Sequence, residues 1–184
     1  MEVEYAFVQA PAVAARVSEF FGNLIQGIVL VGLVILIFLG IRNALIIMTV
    51  IPTSVLIAIA MLDISGFGLQ QISIAGLVIA LGLLVDNGIV VVENINRFLK
   101  EGMSPVQAAV KGTQEVGWAI VSSTATTVLA FFPITQLGGG TGEFIKTLPL
   151  TVIFSLIASL ILALVLTPLL GSRLMRLKDQ NNLS

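Results

Sequence analysis

The sequence predicts an all-α membrane protein, a polytopic bundle of about five transmembrane helices. Of its 184 residues, 57% are hydrophobic and only 10% are charged, whereas a soluble domain carries about a quarter charged residues. Five apolar segments are also long enough to cross a bilayer, which takes roughly 17–25 helical residues. With so few polar side chains to cover a water-exposed surface, the soluble classes are excluded.

The bundle is predicted to occupy residues 21–172. Only Arg42 and Asn43 separate the first two spans, which therefore form a tight helical hairpin. Between the third and fourth spans, Ser104 and Pro105 fit a helix N-cap followed by proline at the first helical position. They predict a short amphipathic helix at about 104–116 on the cytoplasmic surface. The five predicted spans are about 24–41, 44–62, 72–92, 118–137 and 148–170.

The basic residues predict the orientation of the bundle, because Lys and Arg are enriched in cytoplasmic loops. Seven of the nine lie on one side, and only Arg16 and Lys146 lie on the other. This places the 93–117 connection and the 173–184 tail in the cytoplasm, and residues 1–20 outside. An outward N-terminal tail without a basic leader is most simply explained by an earlier helix, so we expect the chain to be part of a longer protein. The seven are Arg42, Arg97, Lys100, Lys111, Arg173, Arg176 and Lys178.

The composition also narrows the chemistry. There is no cysteine and no histidine, which excludes disulfides, zinc sites with Cys or His ligands, and imidazole proton relays. The formal net charge of −1 does not favour a nucleic-acid partner. We expect no enzyme activity, no metal and no cofactor. Proton or ion chemistry must use carboxylates, amides, hydroxyls or backbone groups.

Asp86 is the only ionisable residue inside the five predicted spans. A charged carboxylate at such depth costs about 2.5–3.5 kcal/mol on insertion scales, so acids within the membrane usually mark ion pathways. The alternative is a structural Asp that holds helices together. Asn87 can donate a hydrogen bond beside it. Glu93 and Asn94, seven residues further on, fall on the faces of Asp86 and Asn87 respectively; Glu93, at the membrane interface, also fits a solvated carboxylate.

Small and hydroxyl side chains follow two other spans. Gly76 and Ala80 form a small-xxx-small pair on the Asp86 helix, which favours close helix packing. The run 122–127 carries five hydroxyls, which either bond to their own helix or form a polar wall facing Asp86; Thr126 is the candidate from this run. In the last span, small residues recur every fourth position and indicate a packing groove: Thr151, Ser155, Ser159, Ala163 and Thr167.

Taken together, these motifs resemble the RND (resistance-nodulation-division) efflux transporters of the AcrB type. The resemblance runs in order from about Val17 to Arg176, and the fourth transmembrane helix of that family is similar to Gly82–Ile95. The other matching motifs are Glu101-Gly102, Ala108-Ala109, Phe132-Pro133, Gly138–Gly142 and Leu166–Pro168.

The resemblance implies that the five spans are helices 2 to 6 of a twelve-helix subunit in the bacterial inner membrane, with residues 1–20 ending a periplasmic porter domain. It implies proton-coupled secondary efflux of amphiphilic, drug-like compounds, hence multidrug resistance, with the proton as coupling ion. Asp86 would take up and release the proton, supported by Asn87, with Glu93 and Thr126 as further candidates. Its Lys partner would lie in the other half of the transporter. The implied partners are the lipid bilayer, that other half, and a homotrimer joined to a periplasmic adaptor and an outer-membrane channel.

This sequence departs from the family pattern at one position. The drug-efflux branch commonly shows two adjacent acids, and here the second position is Asn87. The proton stoichiometry and the substrate branch therefore stay open. Two alternatives also stay open: a related RND-superfamily protein that drives lipid or protein translocation, and a truncated, inactive product.

Overall fold

The computed structural model describes residues 22, 25–38, 40–67, 70–136 and 145–175. These residues form helices joined by short turns, with no strand in the described ranges. The prediction of an all-α fold is therefore confirmed. The helices are α1 (Ile25–Phe38), α2 (Ile41–Ile64), α3 (Gln71–Lys100), α4 (Pro105–Phe131) and α5 (Thr147–Leu174), with a short 3₁₀ helix at Phe132–Gln136.

Four helices, α2 to α5, are long and apolar enough to cross a membrane by length and composition. Helix α1 is a shorter apolar helix, and parts of the predicted first span on either side of it lie outside the described residues. The predicted N-terminal tail 1–20, residues 176–184 of the predicted 173–184 tail, and the glycine-rich motif at 138–142 also lie outside them.

Helix α5 is the centre of the bundle, because α2, α3 and α4 all pack against it. The predicted stripe of small residues on α5 is buried throughout. On α3, Gly76 faces α5 so closely that a Cβ there would lie 2.8 Å from the carbonyl oxygen of Leu148 and 3.0 Å from Cβ of Thr151. Small side chains thus let these two helices approach, as small-residue motifs do in membrane proteins.

The connection between α3 and α4 is much shorter than the predicted 93–117 segment. Helix α3 continues to Lys100, and Gly102, with φ of 91°, ends it. The N–H groups of Gly102 and Met103 donate to the carbonyls of Leu99 and Phe98, which is the Schellman pattern of helix ends. A left-handed residue is required there, and glycine adopts it without steric cost.

The predicted cap of α4 is present, but the separate helix at 104–116 is not. Ser104 accepts a hydrogen bond from the backbone N–H of Gln107, and Pro105 opens the helix. The helix then runs without a break to Phe131, so the amphipathic segment and the fourth span are one element. The charged residues led to the prediction of a connection over 93–117, yet residues 93–100 belong to α3 and residues 105–117 belong to α4. Polar side chains do not by themselves interrupt the backbone hydrogen bonds of a helix.

Candidate functional site

The polar residues of α3 divide between two faces of the helix. Asp86 and Glu93 are exposed, whereas Asn87 and Asn94 are each only 8% exposed. A spacing of seven residues is close to two helical turns, so the members of each pair lie on the same side. As predicted, Asp86 and Glu93 share one face of α3, and Asn87 and Asn94 share another.

The carboxylate of Asp86 lies on the outer surface of the bundle. Within the described residues, it makes no ion pair and no hydrogen bond, and the same is true of Glu93. The face of α3 that carries both acids is therefore not covered by α2, α4 or α5. A counter-charge for Asp86 has no source in the described part of this chain.

Asn87, about 100° further around the helix than Asp86, is buried and connects α3 to α4. Its Nδ2 donates to Oγ1 of Thr124 over 3.3 Å, in a buried contact between the two helices. The sequence placed Thr124 only within a run of six residues with five hydroxyls. Which residue of α3 contacts Thr124 depends on how α4 is rotated about its axis. The contact between Asn87 and Thr124 could therefore not be predicted from the sequence.

Three of the other four hydroxyls of that run, those of Ser123, Thr126 and Thr127, bond to their own helix. Thr126 donates to the carbonyl of Ser122 over 2.9 Å, and Thr127 donates to the carbonyl of Ser123 over 3.0 Å. Thr126 is exposed and is not brought to Asp86 by any described hydrogen bond. The alternative of bonding to the same helix therefore describes these three residues, and the predicted polar wall facing Asp86 is not seen in their hydrogen bonds.

Helix α5 holds α3 next to the acid. Oγ of Ser159 donates over 2.9 Å to the carbonyl of Leu84, two residues before Asp86, in a buried contact. Four residues earlier on α5, the Oγ of Ser155 is buried without a hydrogen-bond partner. The stripe of small residues on α5 therefore contributes one polar attachment to α3 as well as close packing.

A cluster of polar residues, which we call the anchor cluster, joins the end of α3 to the beginning of α4. It consists of Asn94, Arg97 and Glu115. Nδ2 of Asn94 donates to the carbonyl of Gly112 over 2.7 Å and to Oε2 of Glu115 over 3.1 Å. The guanidinium of Arg97 also donates to Oε2 of Glu115, and its Nε lies 3.7 Å from Glu101 on its own helix.

Glu115 lies in the predicted 93–117 connection, outside the predicted spans. The hydrogen bond from Arg97, and then that from Asn94, lower the pKa of its carboxyl from the usual value, against a smaller opposing effect of burial. The sequence reasoning missed the anchor cluster because it treated these charges as solvated ends of a connection. An acid and a base eighteen residues apart pair only when a tight turn folds α4 back along α3.

The described residues hold no group of three or more His, Cys, Asp or Glu side chains that could bind a metal ion. The polar groups that α3 to α5 bring together are carboxylates, amides and hydroxyls. Such a set can bind and release protons or form hydrogen bonds.

Comparison with known proteins places the chain in a family. The sequence pattern of the AcrB/AcrD/AcrF family matches residues 1–184. Proteins named "Multidrug resistance protein MdtC" from Escherichia coli O139:H28, Salmonella arizonae and Shigella flexneri are each 36% identical over 171 residues, which is 92% of this chain. The chain spans 17% of the length of these curated relatives. It therefore belongs to the AcrB/AcrD/AcrF family of RND membrane proteins, as its motifs predicted.

Proposed function

We propose that this chain is the proton-binding part of the membrane domain of an RND-type secondary transporter that exports amphiphilic, drug-like compounds. The observation that carries the proposal is the position of Asp86. Its side chain stands near the middle of an apolar helix, on a face that no other described helix covers. The relatives are named multidrug resistance proteins, which supports drug export as the activity of the whole protein.

The physical argument starts from the cost of a charge in the bilayer. An ionised carboxylate is unfavourable there unless it meets a counter-charge or water. Asp86 therefore has two stable states, one protonated and neutral, the other ionised and paired with a cation. The cation belongs to the rest of the transporter, facing the open side of α3. Exchange between the two states changes the attraction between the two halves of the membrane domain, and that change drives transport with the proton as the coupling ion and no cofactor.

The other candidate residues have smaller parts in this proposal. Asn87 supports the site by tying the backbone beside Asp86 to α4 through Thr124. Glu93 lies at the far end of the exposed face, where a solvated carboxylate can exchange protons with water. Thr126 has the weakest support, because its hydroxyl bonds to the carbonyl of Ser122.

The proposed setting is the bacterial inner membrane, with the N-terminus periplasmic and the C-terminus cytoplasmic. The proposed assembly is a homotrimer with a periplasmic adaptor and an outer-membrane channel. Because the chain has no cysteine, single cysteines at Glu101 and Thr141 in an otherwise cysteine-free transporter test the orientation. A membrane-impermeant thiol reagent on intact cells with a permeable outer membrane should label position 141 and spare 101. The reverse pattern contradicts the topology.

The function is tested by replacing the acid in the full-length transporter. Asp86→Asn keeps the size and hydrogen bonding of the side chain but cannot titrate, so export should be abolished while insertion and assembly remain normal. The matched control is Glu101→Gln, which makes the same acid-to-amide change at an exposed position just past the end of α3 and should retain most export. Efflux of a fluorescent amphiphile from cells at matched expression measures both. Full export by Asp86→Asn would show that the carboxylate is structural and that the proposal is wrong.

A further inference from the structure

The anchor cluster has no part in proton binding as proposed above, yet it contains the most extensive polar contacts between two helices among the described residues. Asn94 is buried and bonds to both a backbone carbonyl and a carboxylate of α4. Oε2 of Glu115 accepts from Asn94 and from Arg97 together. Loss of that one carboxylate therefore removes the acceptor of Arg97 on α4 and one of the two acceptors of Asn94.

The cluster and the Asn87–Thr124 contact are two attachments of the same pair of helices. Asn87 and Asn94 lie seven residues apart, roughly 10 Å along α3 at 1.5 Å per residue. Both donate to α4, one at each attachment. A helix attached at one point can still pivot or slide, whereas attachments 10 Å apart oppose rotation and translation together.

We propose that Asn94, Arg97 and Glu115 are positioning residues that hold α4 in the register that places Thr124 against Asn87, beside the proton-binding Asp86. The inference rests on the proposed function of Asp86. When the anchor cluster is intact, Thr124 accepts from Asn87 and keeps the Asn87 amide turned away from the Asp86 face. When the cluster is broken, α4 shifts on α3, the amide loses its acceptor, and the protonation equilibrium of Asp86 changes.

Close packing at the same crossing is the competing explanation for the register. A Cβ at Gly112 would lie 2.9 Å from the backbone nitrogen of Ile95, so the two backbones are nearly in contact there. That packing limits how closely the two helices approach, and it is retained in variants of the anchor cluster, which leave Gly112 and Ile95 in place. The bond from Asn94 to the Gly112 carbonyl is directional and selects one register, which is why the polar groups decide the position.

The test compares anchor variants with matched variants that spare the contact with α4, all in the full-length transporter. Asn94→Ala and Glu115→Ala break the anchor. Asn96→Ala removes the same side chain two positions away, where no hydrogen bond to α4 is described. Glu101→Gln removes a carboxylate that approaches Arg97 only within α3. Efflux is measured from pH 5 to pH 8 at matched amounts in the membrane.

Both anchor variants should shift the midpoint of the pH profile by about half a pH unit, the amount that one neutral hydrogen bond supplies. Thr124→Val should give a shift in the same direction, and Asn94→Ala combined with Thr124→Val should shift no further than either alone. The two controls should leave the profile unchanged. Charged groups described around Glu115 are Arg97, then Glu101 beyond it, and Lys111 four residues earlier on α4; none is described against Asp86.

Reduced export at every pH with an unshifted midpoint would show that the cluster serves stability alone and overturns the inference. Additive shifts in the double variant would also overturn it, because the two attachments would then act independently. Glu115 is 48% exposed, so Glu115→Ala opens no cavity and carries the test even if Asn94→Ala fails to accumulate. If Asp86→Asn retains export, the proposed function itself is refuted. If Asp86→Asn loses export but the anchor variants keep the native pH midpoint, only the positioning role is refuted.

Discussion

The two faces of α3 differ in whether their polar side chains have partners on the neighbouring helices. On the buried face, Asn87 and Asn94 have partners on α4, and the backbone carbonyl of Leu84 has one on α5. On the exposed face, Asp86 and Glu93 have none among the described residues. The amides connect helices within the chain, whereas the acids are exposed on the surface of the described bundle.

The contrast follows from what each group can do in an apolar surrounding. A neutral amide that finds a partner is compatible with burial, because its hydrogen bond offsets the loss of water. A carboxylate between the same helices requires a proton or a cation. The described structure follows this rule: the amides of α3 are buried with partners on α4, and its acids are exposed.

The largest expected effect comes from moving an acid onto the buried face. Asn87→Asp puts a second carboxylate next to Asp86, where it cannot donate to Thr124 while ionised. The two acids should titrate as a coupled pair, so we expect retained export with a pH midpoint displaced by about one unit. Efflux against pH in the full-length transporter measures this, and Asn96→Asp on the same helix is the control. An unchanged pH profile would show that a carboxylate at position 87 does not interact with Asp86.

Adding one methyl group to each face should give the next largest difference. Gly76→Ala forces Cβ to within 2.8 Å of the Leu148 carbonyl oxygen, whereas a Cβ at Gly82 meets no atom within 4 Å. Overpacking of this kind costs about 1–3 kcal/mol. Gly76→Ala should therefore lower the melting temperature of the purified protein, and Gly82→Ala should leave the packing of this bundle unchanged. Equal melting temperatures would mean that the α3–α5 approach is looser than described.

Two serines on α5 allow the effect of a single hydrogen bond to α3 to be measured, because Ser159 makes one and Ser155 does not. Ser159→Ala removes the donor to the Leu84 carbonyl, and such bonds within membranes average about 0.6 kcal/mol, with a maximum of about 1.7. Ser155→Ala removes a buried hydroxyl that has no partner, so it should be neutral or slightly stabilising. Unfolding of both variants under matched detergent conditions checks the order. A larger loss for Ser155→Ala contradicts the hydrogen bonding described for α5.

The smallest expected effect is the pH dependence of the Arg97–Glu115 pair. Because its partners lower the pKa of Glu115 in the folded protein, the pair contributes stability above the unfolded carboxyl pKa of about 4.3. That contribution declines as the pH falls from there through the lower folded value. The difference in melting temperature between the native chain and Glu115→Gln should be small at pH 7 and should vanish once the pH falls below the lowered folded pKa of Glu115. A difference that grows toward acid pH contradicts the pairing.

Local features of this protein could be predicted from the sequence because they depend on neighbours within one helix. The apolar runs indicated the helices, Ser104 and Pro105 indicated where α4 begins, and the spacing of seven residues placed Asp86 with Glu93 and Asn87 with Asn94. The family motifs likewise occur along the chain in order and are recognised without knowledge of packing.

Only the tertiary structure decided which face of α3 is covered and which residue of α4 meets it. In a membrane helix both the lipid-facing and the core-facing sides are apolar, so the period of apolar residues does not distinguish them. The sequence therefore could not select Thr124 over Thr126, nor pair Glu115 with Arg97 across the turn at Gly102. Those choices depend on how far α4 rotates and slides against α3, where the backbones nearly touch at Gly112 and Asn94 donates to the Gly112 carbonyl. The position of α5 on α3 likewise depends on the close approach at Gly76 and the hydrogen bond from Ser159.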